Sequence, residues 1–171
     1  TTDVAIVLDY GSYKHRYTPD FSIDGVNWQT YPAAKLDLNK DKSRAGFSLT
    51  LPQGKSVVIA AQPLLTSSHY AAWLESLKEQ HGVTVSSVGS SVEDRPLWRV
   101  TTPAKKHTLL LLGRQHPPET TGALALISFV ERLFEDDALA KRFRSEVGIL
   151  LYPLINPDGV DQGYWRHNVQ G

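Results

Sequence analysis

Apolar residues in the first sixty positions fall in short runs broken by turn-forming residues. Val4-Ala5-Ile6-Val7-Leu8 predicts a strand, and Tyr13-Lys14-His15-Arg16-Tyr17 predicts another, ended by Thr18-Pro19-Asp20. Asp24-Gly25 is a turn signal. Phe47-Ser48-Leu49-Thr50-Leu51 alternates apolar and polar, the period of a half-buried strand. Pro52-Gln53-Gly54-Lys55 turns the chain into Ser56–Ala61, so these two strands predict a hairpin. The segment reads as a small antiparallel β domain over residues 1–63.

The pattern changes after Pro63. Ser67 or Ser68 can cap a helix whose apolar residues Tyr70, Trp73, Leu74 and Leu77 recur at three and four positions. Gly82 can stop it. Strands are predicted over Val83–Val88, Leu97–Val100 and His107–Leu112. The unbroken run Leu109-Leu110-Leu111-Leu112 suits a strand buried on both faces. Helices are predicted over Thr121–Phe134 and Asp137–Arg144, then a strand over Val147–Tyr152. Strands alternating with helices predict an α/β layer with a mainly parallel sheet over residues 64–171. Trp28, Trp73 and Trp98 are candidate core residues.

Composition narrows the partners. With 171 residues, 41% of them hydrophobic, the chain can form one substantial core or two small ones. The formal net charge is zero and no basic or acidic block stands out, which points away from nucleic acid. Cysteine and methionine are absent, so these residues hold no disulfide, thiolate metal site or cysteine nucleophile. That suits a reducing compartment, and a cytoplasmic location is the expectation. The run Val4–Leu8 is too short for a signal or a membrane span, so no membrane partner is expected. The chain begins at Thr1, which leaves a removed leader open.

The chemistry concentrates where the leucine run ends. Gly113-Arg114-Gln115-His116-Pro117-Pro118-Glu119-Thr120 places an imidazole and a carboxylate three positions apart, between a strand and a helix. Both are ordinary zinc ligands, and open α/β sheets bind ligands at this end of their strands. Two prolines stiffen the connection. On spacing alone the pair has a second reading, a loop histidine beside a first-turn acid favoured by the helix dipole.

The order of three motifs changes that balance. Gly113–Thr120, then Tyr152-Pro153-Leu154-Ile155-Asn156-Pro157-Asp158-Gly159-Val160, then Tyr164-Trp165-Arg166-His167-Asn168 together resemble the M14 metallocarboxypeptidase family. Pro63–Tyr70 and Val88-Gly89-Ser90-Ser91 also resemble its cytosolic-carboxypeptidase branch, which carries a small β domain ahead of the catalytic one. Pro118 stands where that branch more often has glycine, a change that removes no ligand.

The resemblance implies the first part of a carboxypeptidase-like mixed α/β sheet domain, truncated. It implies one Zn(2+) per intact active site, with His116 and Glu119 as two of three ligands. Arg166 resembles the arginine that polarises the scissile carbonyl and stabilises the oxyanion. Asn156 and Asp158 read as turn formers, since both side chains can bond to nearby backbone. His167, next to Arg166, points the other way in an extended run and is not read as a ligand. The third histidine ligand and the general-base glutamate are implied downstream. The resemblance therefore implies hydrolysis of C-terminal peptide bonds by the intact protein, with a peptide or protein C-terminus as substrate. Residues 1–171 alone are expected to be inactive, to bind zinc weakly and to self-associate. Two alternatives stay open: a small-amide hydrolase of the desuccinylase or aspartoacylase kind, and a non-catalytic binding module on the same fold.

Overall fold

The computed structural model describes residues 1–25 and 27–171. They divide into two compact units, Thr1–Leu64 and Leu65–Gly171. Among the described residues no helix is long and apolar enough to cross a membrane.

The first unit contains β1 (Thr2–Asp9), β2 (Asp20–Ser22), β3 (Gln29–Thr30), β4 (Asp37–Leu38), β5 (Arg44–Leu51) and β6 (Val58–Ala60). They form two antiparallel sheets, in the orders β1-β5-β4 and β3-β2-β6. β5 buries Ala45, Phe47 and Leu49 on one face, the alternation its sequence shows. The hairpin expected between the strands on either side of Pro52–Lys55 does not form. β5 instead pairs with β1 along eight residues, from Thr2↔Leu51 to Asp9↔Arg44. β6 pairs with β2 in the other sheet. A short turn allows a hairpin but does not compel one when each strand has another partner elsewhere. Tyr13–Tyr17 is likewise loop, not strand. Both tyrosines are exposed, so nothing buries one face of that run.

The second unit runs through α1 (Ser67–His81), β7 (Thr84–Ser90), β8 (Pro96–Thr101), β9 (His107–Leu112), α2 (Thr120–Phe134), α3 (Ala138–Glu146), β10 (Val147–Tyr152) and α4 (Pro157–Gln162). The sheet order is β7-β8-β10-β9. It is mixed rather than mainly parallel. β9 and β10 run parallel, joined by the crossover through α2 and α3. The short link between β7 and β8 can only return the chain antiparallel, and β8 pairs antiparallel with β10.

The helix boundaries have local causes. Thr66, one position before the predicted caps, is the N-cap of α1, and its backbone N–H donates to His69 Nδ1 at 3.2 Å. Gly82 ends the helix with φ 63° and an N–H donated to Lys78 O at 2.9 Å, the left-handed stop that glycine makes without strain. Asp137 caps α3, accepting from Ala140 N at 2.9 Å.

One core joins these elements. Leu74 and Leu77 of α1, Val130, Leu133 and Phe134 of α2, Val100 of β8, and Ile149 and Leu151 of β10 are buried together. Each such side chain contributes roughly 1.5–3 kcal/mol relative to exposure. Leu109 and Leu111 of β9 pack against this cluster. Leu110 and Leu112 are 53% and 52% exposed, so β9 is covered on one face, not two as its run of leucines suggests. A continuous apolar run gives no information on which of its alternate residues find a neighbour.

Candidate functional site

The ends of β9 and β10 are stitched together before the site begins. Gly113 N donates to Tyr152 O at 2.8 Å, Ile155 N to Gly113 O at 3.1 Å, and Asn156 N to Arg114 O at 3.3 Å. A Cβ at Gly113 would come within 2.5 Å of both Pro153 O and Leu126 Cδ2, so only glycine lets strand, loop and α2 approach this closely.

Arg114 follows in the left-handed region, φ 48°, which turns its side chain inward. Its guanidinium is buried under the loop. Nε donates to Pro117 O at 2.8 Å and Nη2 to Thr120 Oγ1 at 3.4 Å. The arginine therefore ties the loop between His116 and Glu119 to the first turn of α2. Arg114 Nη1 and Tyr70 Oη are both buried without a hydrogen-bond partner among the described residues. Burial pushes the Tyr70 phenol up, and the neighbouring Arg114 works against that shift. Sequence reasoning did not single out Arg114 or Tyr70, because a surface arginine and a core tyrosine carry the same letters.

His116 and Glu119 meet. His116 Nδ1 lies 2.7 Å from Glu119 Oε1, and His116 N donates to Glu119 Oε2 at 3.4 Å. Glu119 is the residue before α2, where its charge faces the positive end of the helix. The hydrogen bond from His116 holds the Glu119 carboxyl below the usual carboxylate range. Partial burial opposes this, while the His116 N–H and the charges of His116 and Arg166 add to it. Arg166 is exposed and follows α4, and its positive charge reaches Glu119. His116 and Glu119 thus meet at one end of the sheet, and the backbone beside Arg166 is bonded, through His167 O, to Asn156 in the loop after β10. A groove of about 370 Å³ beside Glu119 is lined by Leu112, Arg114, Ala123, Leu126 and Phe129 among others. Trp165 is 69% exposed and packs into no core.

The second motif fastens the surrounding loops. Asp158 is buried, and its carboxylate accepts from Ser91 Oγ at 2.6 Å, Arg95 Nη1 at 2.7 Å and Glu93 N at 3.1 Å. Arg95 also pairs with Glu93 and, through Nε at 2.9 Å, with Asp161. Asp161 in turn accepts from Ser67 N at 2.8 Å. One carboxylate pair therefore links α4 to the β7–β8 turn and to the start of α1.

Burial disfavours the charged form of Asp158, but the bonds from Ser91, Arg95 and Glu93 outweigh it and lower its pKa. A depressed folded pKa gives stability that is complete above the unfolded value, about 3.9, and lost as pH falls through the folded one. Asp158→Ala is expected to cost about 2–3 kcal/mol at neutral pH. That is below the ~3–5 kcal/mol of a fully buried broken pair, because Arg95 keeps Glu93 and Asp161 and is a quarter exposed. Urea titrations at pH 7 and pH 3 check this: wild type should lose more stability between the two than Asp158→Asn does.

The sequence model of the zinc carboxypeptidase family matches residues 70–170, more than half of the chain. This chain belongs to the zinc carboxypeptidase family. Cytosolic carboxypeptidase 2 of Xenopus tropicalis is 33% identical over 76 residues, which are 44% of this chain and 8% of that protein. Cytosolic carboxypeptidase 6 of Mus musculus is 26% identical over 116 residues, covering 62% of this chain and 22% of the relative. A metallo-carboxypeptidase from Burkholderia cenocepacia superposes over 99% of this chain and 47% of its own, with TM-score 0.78 and 25% identity. The chain thus spans about half of that solved structure, and a smaller share of the two cytosolic carboxypeptidases.

Within this family fold, the donor chemistry of His116 and Glu119 fits zinc. An imidazole nitrogen and a carboxylate oxygen converge within one hydrogen bond's length, at a partly exposed position, on a loop held from below by Arg114. Among the described residues no group of three or more His, Asp or Glu side chains is placed to hold a metal ion.

Proposed function

We propose that this chain carries part of the active site of a zinc-dependent carboxypeptidase that removes residues from peptide or protein C-termini. The observation that carries the reading is the His116–Glu119 contact at the start of α2, within reach of the Arg166 charge. In this reading the His116 imidazole and the Glu119 carboxylate would hold the zinc, with a third donor from residues outside 1–171. Bound zinc supplies Lewis-acid polarisation of the scissile carbonyl and lowers the pKa of water. The chain's own residues do the rest of what can be assigned here. Glu119, kept ionised, and His116 bind the metal. Arg114 fixes the loop between them. Arg166 offers a permanent cation to the carbonyl oxygen as negative charge develops there, with no proton to gain or lose. The names of the relatives and the β unit ahead of residue 65 support placing the protein in the cytosolic-carboxypeptidase-like branch.

The test is a substrate comparison with the zinc-loaded protein at its full natural length. Peptides with a free C-terminal carboxylate should be shortened from that end, and the same peptides with an amidated C-terminus should be left largely intact. Cleavage of N-succinyl or N-acetyl amino acids with no action on peptides would instead support the small-amide reading. Zinc binding with no hydrolysis of either set would support a binding module.

A further inference from the structure

Asn156 does more than begin a turn. Its Oδ1 accepts from Gly159 N at 3.0 Å, which caps α4. Its Nδ2 donates to His167 O at 3.1 Å, eleven residues along the chain and immediately after Arg166. These two partners fix which way the amide faces, because an N–H must meet Oδ1 and a carbonyl must meet Nδ2.

The segment around Arg166 has few other fastenings. Trp165, Arg166, His167 and Asn168 are all exposed. Tyr164 N donates to Gly159 O at 2.9 Å, and the Tyr164 and His167 rings stack with centroids 4.7 Å apart. Gly159 belongs to the same arrangement. A Cβ there would come within 2.6 Å of Asn156 Nδ2 and 2.8 Å of His167 O, so a larger residue would push the amide off the carbonyl it holds.

We propose that Asn156 is a positioning residue for Arg166: its side-chain amide clamps the backbone next to the arginine onto the turn that follows β10. The inference rests on the reading of Arg166 as the group that meets the developing oxyanion. An arginine on an unsupported segment samples many placements, and a charge that must be aimed before the reaction loses most of its value if it is not. The clamp ties the arginine segment to the loop after β10, which is itself bonded to Arg114 and hence to the loop carrying His116 and Glu119. The whole constellation is then referenced to one sheet end.

Two substitutions separate the clamp from the cap. Asp and Ser cap helices about as well as Asn, so Asn156→Asp and Asn156→Ser keep the first bond and lose the donor to His167 O. The serine variant also introduces no charge near Arg166. In the zinc-loaded, full-length protein, both variants should melt within about 3 °C of wild type. Amide hydrogen exchange in residues 164–168 should become faster, while α2 and β10 stay unchanged. With a peptide that wild type shortens, kcat should fall about 10- to 100-fold and KM should change little. In an Arg166→Ala background, Asn156→Ser should cost less than about twofold, since the two act as a unit. Unchanged exchange in 164–168 would overturn the proposal, as would faster exchange with kcat intact or an undiminished loss in the Arg166→Ala background. A wild-type protein that hydrolyses no peptide would remove the functional reading itself, and with it the task assigned to Arg166. That outcome is recognised before any variant is compared.

Discussion

Replacing His116 by alanine in the full-length protein is expected to release its zinc and reduce peptide hydrolysis to background. His116 makes its side-chain contact with Glu119 and is a third exposed, so the fold loses little when the ring is removed. On the proposed reading, the site loses a zinc donor. Removing a residue that merely supports a ligand costs about 10- to 100-fold in affinity, and removing the ligand itself should exceed that. Glu119→Gln should act in the same direction, because it replaces an anion with a neutral amide at the positive end of α2. Metal content after dialysis, measured by elemental analysis beside a melting curve, separates the two effects. A variant that melts like wild type and retains one zinc per chain would show that His116 is not a ligand.

Arg166→Ala should leave zinc in place and lower kcat by about 100- to 1,000-fold, the usual cost of losing one donor aimed at a developing oxyanion. The arginine is exposed, and no ion pair to it was found among the described residues, so stability should hardly change. Arg166→Lys should recover part of the rate, since it restores charge without the planar fork. The loss of Arg166 also withdraws a positive charge from Glu119, whose carboxyl should titrate slightly higher as a result. Steady-state kinetics on one peptide, with metal content checked in parallel, decides the matter. A fall in KM alone, or a parallel loss of zinc, would contradict the assigned role.

Much of this arrangement could be read from residue order, and the parts that could not share one cause. Three helices of the second unit were legible because Tyr70, Leu74 and Leu77, and then Val130, Leu133 and Phe134, repeat with helical period, and because Gly82 and Asp137 mark ends; α4 was not, since Asn156-Pro157-Asp158-Gly159 reads as a turn. His116 and Glu119 stood out through the order of three motifs rather than their spacing, which alone left a second reading, and the structure brings their side chains into contact. Partners in the sheets were less legible. The turn at Pro52–Lys55 favours a hairpin locally, but the eight-residue pairing of β5 with β1 is decided by residues 35 to 49 positions away. The leucines of β9 look equivalent in sequence and differ in exposure because one face has helices over it and the other does not. Arg95 could not be picked out, and Arg114 and Ser91 entered only as members of motifs, with no role of their own. Their roles depend on what lies across space: a carbonyl at Pro117, a buried carboxylate at Asp158. Asn156 was half legible, as a turn residue, because its bond to Gly159 is local while its bond to His167 is not.

The central claim is that His116 and Glu119 hold a metal ion together. An anomalous difference map of crystals of the full-length protein, collected on either side of the zinc absorption edge, tests it without reference to any substrate. The account predicts a single strong peak in bonding contact with His116 Nδ1 and the Glu119 carboxylate, with the hydrogen bond between the two side chains replaced by shared coordination. A protein that carries stoichiometric zinc at some other position, with His116 Nδ1 still bonded to Glu119 Oε1, would contradict it.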